Sequence, residues 1–209
     1  MRENPATRPA TSRSEIGYTS SMKISFIGSP GSGKTTLAAK LFASLKSRGV
    51  VAELLLEQAR LHIAAERYQR DSSIVLDDVF QHGVMKAQLG WERILSRAAG
   101  DDGVVVTDGS PLNTLLYISD LDHWYPQAMA TRAAAEADEV FYCPPVLLGV
   151  PEDPNRVHDR LSSFEIDSRI PEIMNRFAPD VVAKWTKLEG SLEDRYEGLV
   201  ARLAPRLRW

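Results

Sequence analysis

The chain has 209 residues, of which 44% are apolar and 25% are charged, and this composition is typical of one globular domain. Its formal net charge of −3 gives no strong overall field toward nucleic acid, and no apolar run approaches the ~18 residues that cross a bilayer. The single cysteine, Cys143, excludes an internal disulfide. We therefore expect a protein of the cytoplasm, or of the host cytoplasm if the source is viral, with no membrane partner.

The first segment, residues 1–21, combines proline, arginine, serine and threonine with almost no aliphatic side chains. Such a segment buries too little apolar surface to offset the entropy lost on ordering. We expect a disordered tail here and a folded domain over residues 22–209.

A phosphate-binding loop is the strongest signal in the chain. Residues 28–35 fit the pattern G-x-x-x-x-G-K-[ST] at every fixed position, between an apolar strand that ends at Ile27 and a helix that continues to Arg48. Backbone N–H groups of such a loop surround phosphate oxygens, so Lys34 is expected to reach the β- and γ-phosphates and Thr35 to bind Mg²⁺. The alternative is a glycine-rich turn with no ligand. The expected ATP-binding residues are Gly28, Ser29, Pro30, Gly31, Ser32, Gly33, Lys34, Thr35 and Thr36.

The remaining apolar runs predict four more strands and the helices between them. The strands are expected at Val50–Leu56, Val104–Asp108, Glu139–Cys143 and Val182–Leu188. The further helices are expected over Ser73–Ala99, from Pro111, over Gln127–Ala137, over 172–178, and to Leu203 after a capping box at Ser191 and Asp194. Strands that alternate with helices predict an α/β fold with a parallel sheet covered on both faces.

Three finer expectations concern aromatic residues and one polar segment. Trp91 is expected in the buried apolar stripe of the helix that ends at Ala99. Trp124 and Tyr125 are expected in a loop, where they either pack at an edge or stack on a base. The polar segment 149–171 is not assigned regular structure throughout.

Two carboxylates stand at the ends of predicted strands, where parallel sheets bind ligands. Asp108 ends the third strand and is expected either to support Mg²⁺ or to cap the helix that starts near Pro111. Glu57 follows the second strand and is expected either to face an acceptor hydroxyl or to be a solvated acid at a helix start. Arg60 either pairs with Glu57 or contacts the substrate.

These blocks together resemble a known group of enzymes. Three short blocks are similar to blocks of small P-loop kinases. They are Glu57-Gln58-Ala59-Arg60, Thr107-Asp108-Gly109-Ser110-Pro111, and Leu188-Glu189-Gly190 with Glu193-Asp194-Arg195. That group includes the nicotinamide riboside kinase domain, the deoxynucleoside and thymidylate kinases, and phage kinases that act on hydroxymethylated pyrimidines in DNA.

The resemblance implies a P-loop NTPase three-layer sandwich with strand order 2-3-1-4-5, an acceptor site over strands two and three, and a lid at about 149–171. One departure is the block Asp108-Gly109-Ser110, because nucleoside kinases carry an arginine at its centre.

The lid contains arginines that could contact the phosphates. If residues 155–161 are helical, Arg156 and Arg160 lie on one face and reach phosphate oxygens when the lid closes. The alternative is that these arginines and Arg169 pair with acids on the surface. We assign less weight to Arg195.

The sequence thus predicts an ATP-dependent kinase with a hydroxyl acceptor on a nucleoside, nucleotide or modified base, with ATP and Mg²⁺ as cofactors. The expected catalytic residues are Lys34, Glu57, Asp108, Arg156 and Arg160, with Glu57 and Arg60 at the substrate and Thr35 and Asp108 at the metal. A phage-type kinase for hydroxymethylated DNA is one alternative. Another is a switch-type NTPase, although neither D-x-x-G nor N-K-x-D occurs in the sequence.

Overall fold

The fold was obtained as a computed structural model, which describes residues 21–65, 77–145 and 160–207. Three predicted features lie at least partly outside the described residues. They are the tail up to residue 20, the helix start at 73–76, and the part of the lid at 149–159, which includes Arg156. Ser21 is only 1% exposed, so this residue belongs to the folded domain and not to the tail.

Five strands and seven α-helices make up the described part of the chain. The strands are β1 (Met22–Ile27), β2 (Ala52–Leu55), β3 (Val104–Thr107), β4 (Glu139–Tyr142) and β5 (Thr186–Lys187). The α-helices are α1 (Lys34–Ser47), α2 (Gln58–Ala65), α3 (Asp78–Ala99), α4 (Trp124–Glu136), α5 (Arg160–Phe177), α6 (Pro179–Val182) and α7 (Leu192–Leu207). A 3-10 helix, Pro111–Tyr117, follows β3.

The sheet has the order β2-β3-β1-β4-β5, and every pair of neighbouring strands is parallel. The predicted α/β fold and strand order are confirmed. Thr107 is in register with both Ser25 and Leu55, so the carboxyl ends of β1, β2 and β3 lie at one edge of the sheet. The loops after these strands are therefore brought together, which places residues 28–35, 56–57 and 108–110 side by side.

Apolar residues cover both faces of the sheet. One cluster lies between the sheet and helices α1 and α7, and it contains Phe26, whose ring stacks on that of Phe141 with centroids 5.8 Å apart. The other cluster joins the sheet to α3, α4, α5 and the 3-10 helix, and includes Val140, Met85 and Ile170. Each strand is thus held in a buried layer, which fixes the loops at its carboxyl end.

The predicted burial of Trp91 in the apolar stripe of α3 was wrong. Trp91 is 48% exposed, while the buried face carries Gln88 and Glu92 beside apolar residues. Glu92 is buried because the Lys23 ammonium donates to it over 2.7 Å, and the Gln88 amide donates to it over 3.1 Å. Hydrophobic periodicity cannot identify a helix face on which paired polar groups are buried.

The second half of the chain differs from the sequence prediction in three places. Helix α5 is one continuous helix of 18 residues, although no regular structure was assigned up to residue 171. Val182 ends α6 and does not begin a strand, and β5 has only two residues. Trp124 and Tyr125 lie in the first turn of α4, where the His123 ring accepts a hydrogen bond from the Tyr125 N–H.

The capping box of the last helix is confirmed. The Ser191 hydroxyl accepts from the Asp194 N–H at 3.2 Å, and the Asp194 carboxylate accepts from the Ser191 N–H at 2.8 Å. The helix then continues to Leu207, beyond the expected end at Leu203. Among the described helices, none combines the length and the apolar composition that crossing a bilayer requires.

Candidate nucleotide and acceptor site

The loop between β1 and α1 can be built only with glycine at two of its positions. Gly28 has φ 157°, and a Cβ atom there would lie 2.3 Å from the carbonyl oxygen of Cys143. Gly33 has φ 88°, a left-handed conformation from which α1 begins. The N-terminus of α1, with its unpaired first-turn N–H groups, therefore opens at the carboxyl edge of the sheet.

Lys34 lies inside this loop and is almost fully buried. Its ammonium group donates to the carbonyl oxygens of Gly28 at 2.9 Å and Ser29 at 2.8 Å. It also donates to the Ser32 hydroxyl at 3.4 Å. A buried ammonium group whose partners are all neutral keeps its positive charge available to an anion. The loop thus combines a fixed cation with a helix N-terminus, as binding of a polyphosphate requires.

Asp108 lies directly after β3 and is 3% exposed. It does not cap the 3-10 helix, since the Ser110 hydroxyl accepts from the Leu112 N–H and performs that function. Burial and the nearby Glu57 carboxylate raise the pKa of Asp108, while a hydrogen bond from the Thr35 side chain and the charges of Lys34 and Arg60 oppose the rise. The alternative role as a helix cap was therefore wrong.

The second carboxylate oxygen of Asp108, Oδ1, has no hydrogen-bond partner among the described residues. A buried carboxylate oxygen with no partner, beside a hydroxyl at the start of a helix, is the donor set that Mg²⁺ with a polyphosphate uses. Within the described ranges, no group of three His, Cys, Asp or Glu residues could hold a metal ion by itself. The residues present therefore fit a cation that takes its other ligands from phosphate and water.

Glu57 and Arg60 lie on the exposed side of the same edge. Glu57 is close enough to Asp108 and to Tyr117 to raise the pKa of both groups, and Arg169 opposes the rise at Tyr117. Burial is the largest cause of the raised pKa of Tyr117. Glu57, Asp108, Tyr117 and Arg169 are therefore near enough to one another for their charges to interact.

Asp167, a residue of α5, was not selected from the sequence. Its carboxylate accepts a hydrogen bond from the Tyr142 hydroxyl at 2.7 Å. Burial raises the pKa of Asp167, while Tyr142, Ser29 and Lys34 oppose the rise. Because Ser29 and Lys34 belong to the P-loop, Asp167 places α5 beside this loop.

Two other neighbours of the loop were missed or given too little weight. The Asn113 side chain accepts from the Gly28 N–H at 3.4 Å, although its sequence position in the 3-10 helix carried no signal. Arg195 is 4% exposed and donates to the Ser32 carbonyl at 3.0 Å, a contact that was not predicted. Its place in the block Glu193-Asp194-Arg195, which resembles a block of the small P-loop kinases, could have identified Arg195 as a residue near the site.

The structure brings some of the predicted site residues together but not all of them. Lys34, Thr35, Asp108, Glu57 and Arg60 are brought to one edge of the sheet. Arg160 is the first residue of α5, and Arg156 lies outside the described residues. The catalytic roles of both arginines stay predictions.

Fold and loop together define a P-loop nucleotide-binding domain, and such a domain implies ATP binding. A family model described as an AAA domain matches residues 23–195, so the chain belongs to this family. Comparison with curated proteins found no match.

Solved structures with the same fold include two of the NadR protein. The complex with NAD and AMP-PNP has a TM-score of 0.66 at 19% identity, and 90% of this chain covers 50% of that chain. The complex with NR has a TM-score of 0.64 at 18% identity, and the match covers 88% of this chain and 50% of that chain. This chain thus spans about half the length of the NadR chains.

The thymidylate kinase from Ehrlichia chaffeensis is similar over nearly its whole length. Its TM-score is 0.53 at 17% identity, and 87% of this chain covers 98% of that chain. These likenesses show the fold, whereas reaction and substrate have to be argued from the residues of this chain.

Proposed function

We propose that the chain is a kinase that transfers the γ-phosphoryl group of ATP to a hydroxyl of a nucleoside, a nucleotide or a modified base. The observation that carries the proposal is the position of Glu57, whose charge acts on both Asp108 and Tyr117. An exposed carboxylate at this place faces the space in which an acceptor beside the γ-phosphate would lie. Phosphoryl transfer uses such a group to orient the acceptor hydroxyl, whereas a switch-type NTPase needs no acceptor acid there.

Each residue at the sheet edge then has one task. The N–H groups of the loop and Lys34 hold the β- and γ-phosphates, and Glu57 orients the acceptor hydroxyl and takes its proton. The acceptor oxygen forms a bond to the γ-phosphorus as the bond to the bridging oxygen breaks and ADP leaves. Thr35 and Asp108 would hold Mg²⁺, which supplies charge neutralisation on the phosphates when bound.

Helix α5 supports transfer over hydrolysis, since it borders the loop through Asp167 and the acceptor side through Arg169. Closure of this segment excludes water from the γ-phosphate. Arg60 acts on the pKa of Asp108 and Arg169 on that of Tyr117, so both cations are available near the acceptor side. The predicted contacts of Arg156 and Arg160 with the phosphates belong to this proposal.

The overall charge of the chain favours a small acceptor over DNA, since its formal net charge is −3. A duplex backbone would bring further negative charge to an acidic protein, which costs free energy. A free nucleoside or nucleotide brings fewer charges.

The test is transfer of radiolabelled γ-phosphate to a panel of acceptors. The panel contains nucleosides, nucleotides, NR (the compound named for the second NadR complex) and DNA with hydroxymethylated pyrimidines. We expect label on at least one small acceptor, and a loss of about 10²-fold or more in turnover for Glu57→Gln with ATP affinity unchanged.

Glu53→Gln, on β2 and away from the edge, is the matched control and should retain turnover. If only the DNA were labelled, the acceptor would be hydroxymethylated DNA and not a small molecule. No label on any acceptor, with slow ATP turnover that the panel leaves unchanged, would contradict the kinase proposal and favour a switch.

A further inference from the structure

The phosphate-binding loop is contacted from behind by a buried cation that belongs to the last helix. The Arg195 guanidinium donates to the carbonyl oxygens of Ser32 at 3.0 Å and Pro144 at 2.8 Å, and its Nε donates to that of Gly190 at 3.0 Å. Ser32 and Arg195 are 163 positions apart in the sequence. One side chain therefore joins the P-loop, the segment after β4 and the turn before α7.

The contact with Ser32 fixes the direction of a peptide group in the loop. The described residues contain no cis peptide, and in a trans peptide the C=O and the following N–H point in opposite directions. Because the Ser32 carbonyl points toward Arg195 and α7, the N–H of Gly33 points away from α7. Gly33 is also the residue whose left-handed φ of 88° starts α1.

The charge of Arg195 acts on the same peptide. A cation that binds the carbonyl oxygen polarises the peptide group and strengthens its N–H as a donor. Arg195 as a whole is 4% exposed, so solvent screens this effect little. The planar fork of arginine reaches three carbonyls at once, whereas the single ammonium of lysine cannot span them with the same geometry.

We propose that Arg195 is a positioning residue for the triphosphate: it orients the Ser32–Gly33 peptide so that the Gly33 N–H donates to a phosphate oxygen, without itself touching the nucleotide. This inference rests on the nucleotide-binding part of the proposed function. It requires neither an acceptor nor phosphoryl transfer.

The test is calorimetric titration of ATP and of inorganic tripolyphosphate into the wild type and three variants. Arg195→Met removes the donors, Arg195→Lys keeps the charge, and Arg202→Met is the matched control. Arg202 lies on the same helix and binds Glu139 of β4 at 3.3 Å, next to Arg206, far from the loop.

We expect Arg195→Met to weaken both ligands about tenfold or more, since one oriented charge-assisted donor is lost. Arg195→Lys should fall between this variant and the wild type, and Arg202→Met should stay within about twofold of the wild type. The parallel loss for tripolyphosphate shows that the effect lies in the phosphates and not in the base.

Wild-type affinity in Arg195→Met would overturn the proposal, as would an equal loss in Arg195→Met and Arg202→Met. If Arg195→Met does not fold, Arg195→Lys decides: weaker binding supports the proposal, and unchanged binding overturns it. The amide resonance of Gly33 gives a second readout, because it should shift in Arg195→Lys and stay unchanged in Arg202→Met. A chain that binds ATP but labels no acceptor would refute the kinase and leave this inference standing.

Discussion

Replacement of Asp108 by asparagine should stabilise the protein without ligand and remove its response to Mg²⁺ with ATP. The carboxylate is 3% exposed, and its Oδ1 has no hydrogen-bond partner among the described residues. Burial disfavours the charge of this carboxylate and the nearby Glu57 carboxylate adds repulsion, and asparagine removes both effects because it is neutral. The attraction to Lys34 and the hydrogen bond from Thr35 offset part of this cost.

We therefore expect a net gain of about 1 kcal/mol in the free energy of unfolding, or about 2–4 °C in the melting temperature for a chain of this size. The size of this gain depends on pH. Burial and Glu57 raise the folded-state pKa of Asp108 above its unfolded value, so the ionised form lowers stability at neutral pH. The advantage of Asp108→Asn should shrink as the pH falls through the raised pKa, because the native aspartate then becomes protonated.

The assay is urea unfolding at neutral and mildly acidic pH, with and without Mg²⁺ and ATP. Asp78→Asn is a control for which the opposite change in stability is expected. Burial raises the pKa of Asp78, but hydrogen bonds from Ser119 and Asp120 lower it, and the net pKa is lowered. This variant should be less stable than the wild type at neutral pH. A less stable Asp108→Asn, or one that keeps the full stabilisation by Mg²⁺ and ATP, would refute the assignment of Asp108 to the metal.

Three other substitutions test the fold around the site, each by thermal unfolding and ATP titration. Gly28→Ala should cost about 2 kcal/mol or more and lose ATP binding, because its Cβ would lie 2.3 Å from the Cys143 carbonyl; normal binding would show that the loop can shift. Ser191→Ala should cost about 1 kcal/mol by removing the capping box while ATP affinity stays unchanged. Trp91→Gln should change the free energy of unfolding by less than about 0.5 kcal/mol, because Trp91 is 48% exposed; a large loss would show that Trp91 packs in the core.

Much of the fold could be predicted because local patterns and the sheet agree. The P-loop motif predicts the strand β1 before it and the helix α1 after it. The apolar runs that contain Leu55 and Thr107 belong to the buried parallel strands β2 and β3. In such a fold each strand is followed by a helix, so few topologies remain. The position of Asp108 and Glu57 at one edge follows from the same regularity.

The failures have a common physical cause, which is long-range pairing. Trp91 was placed in the core because the burial of Glu92 depends on Lys23, which is 69 positions away. Arg195 received little weight because its partners Ser32 and Pro144 become neighbours only after folding. A hydrophobic pattern reports local burial and cannot show which distant charge neutralises a polar group.

The central claim is that the loop at Lys34 and the acids at the ends of β2 and β3 form one phosphotransfer site. The most direct measurement is a crystal structure with Mg²⁺ and a non-hydrolysable ATP analogue. We predict a triphosphate inside residues 28–35, Mg²⁺ bound to the Thr35 hydroxyl with Asp108 joined directly or through one water, and open space between the γ-phosphate and Glu57. A nucleotide bound elsewhere, or Glu57 directed away from the γ-phosphate with no room for an acceptor, would contradict the account.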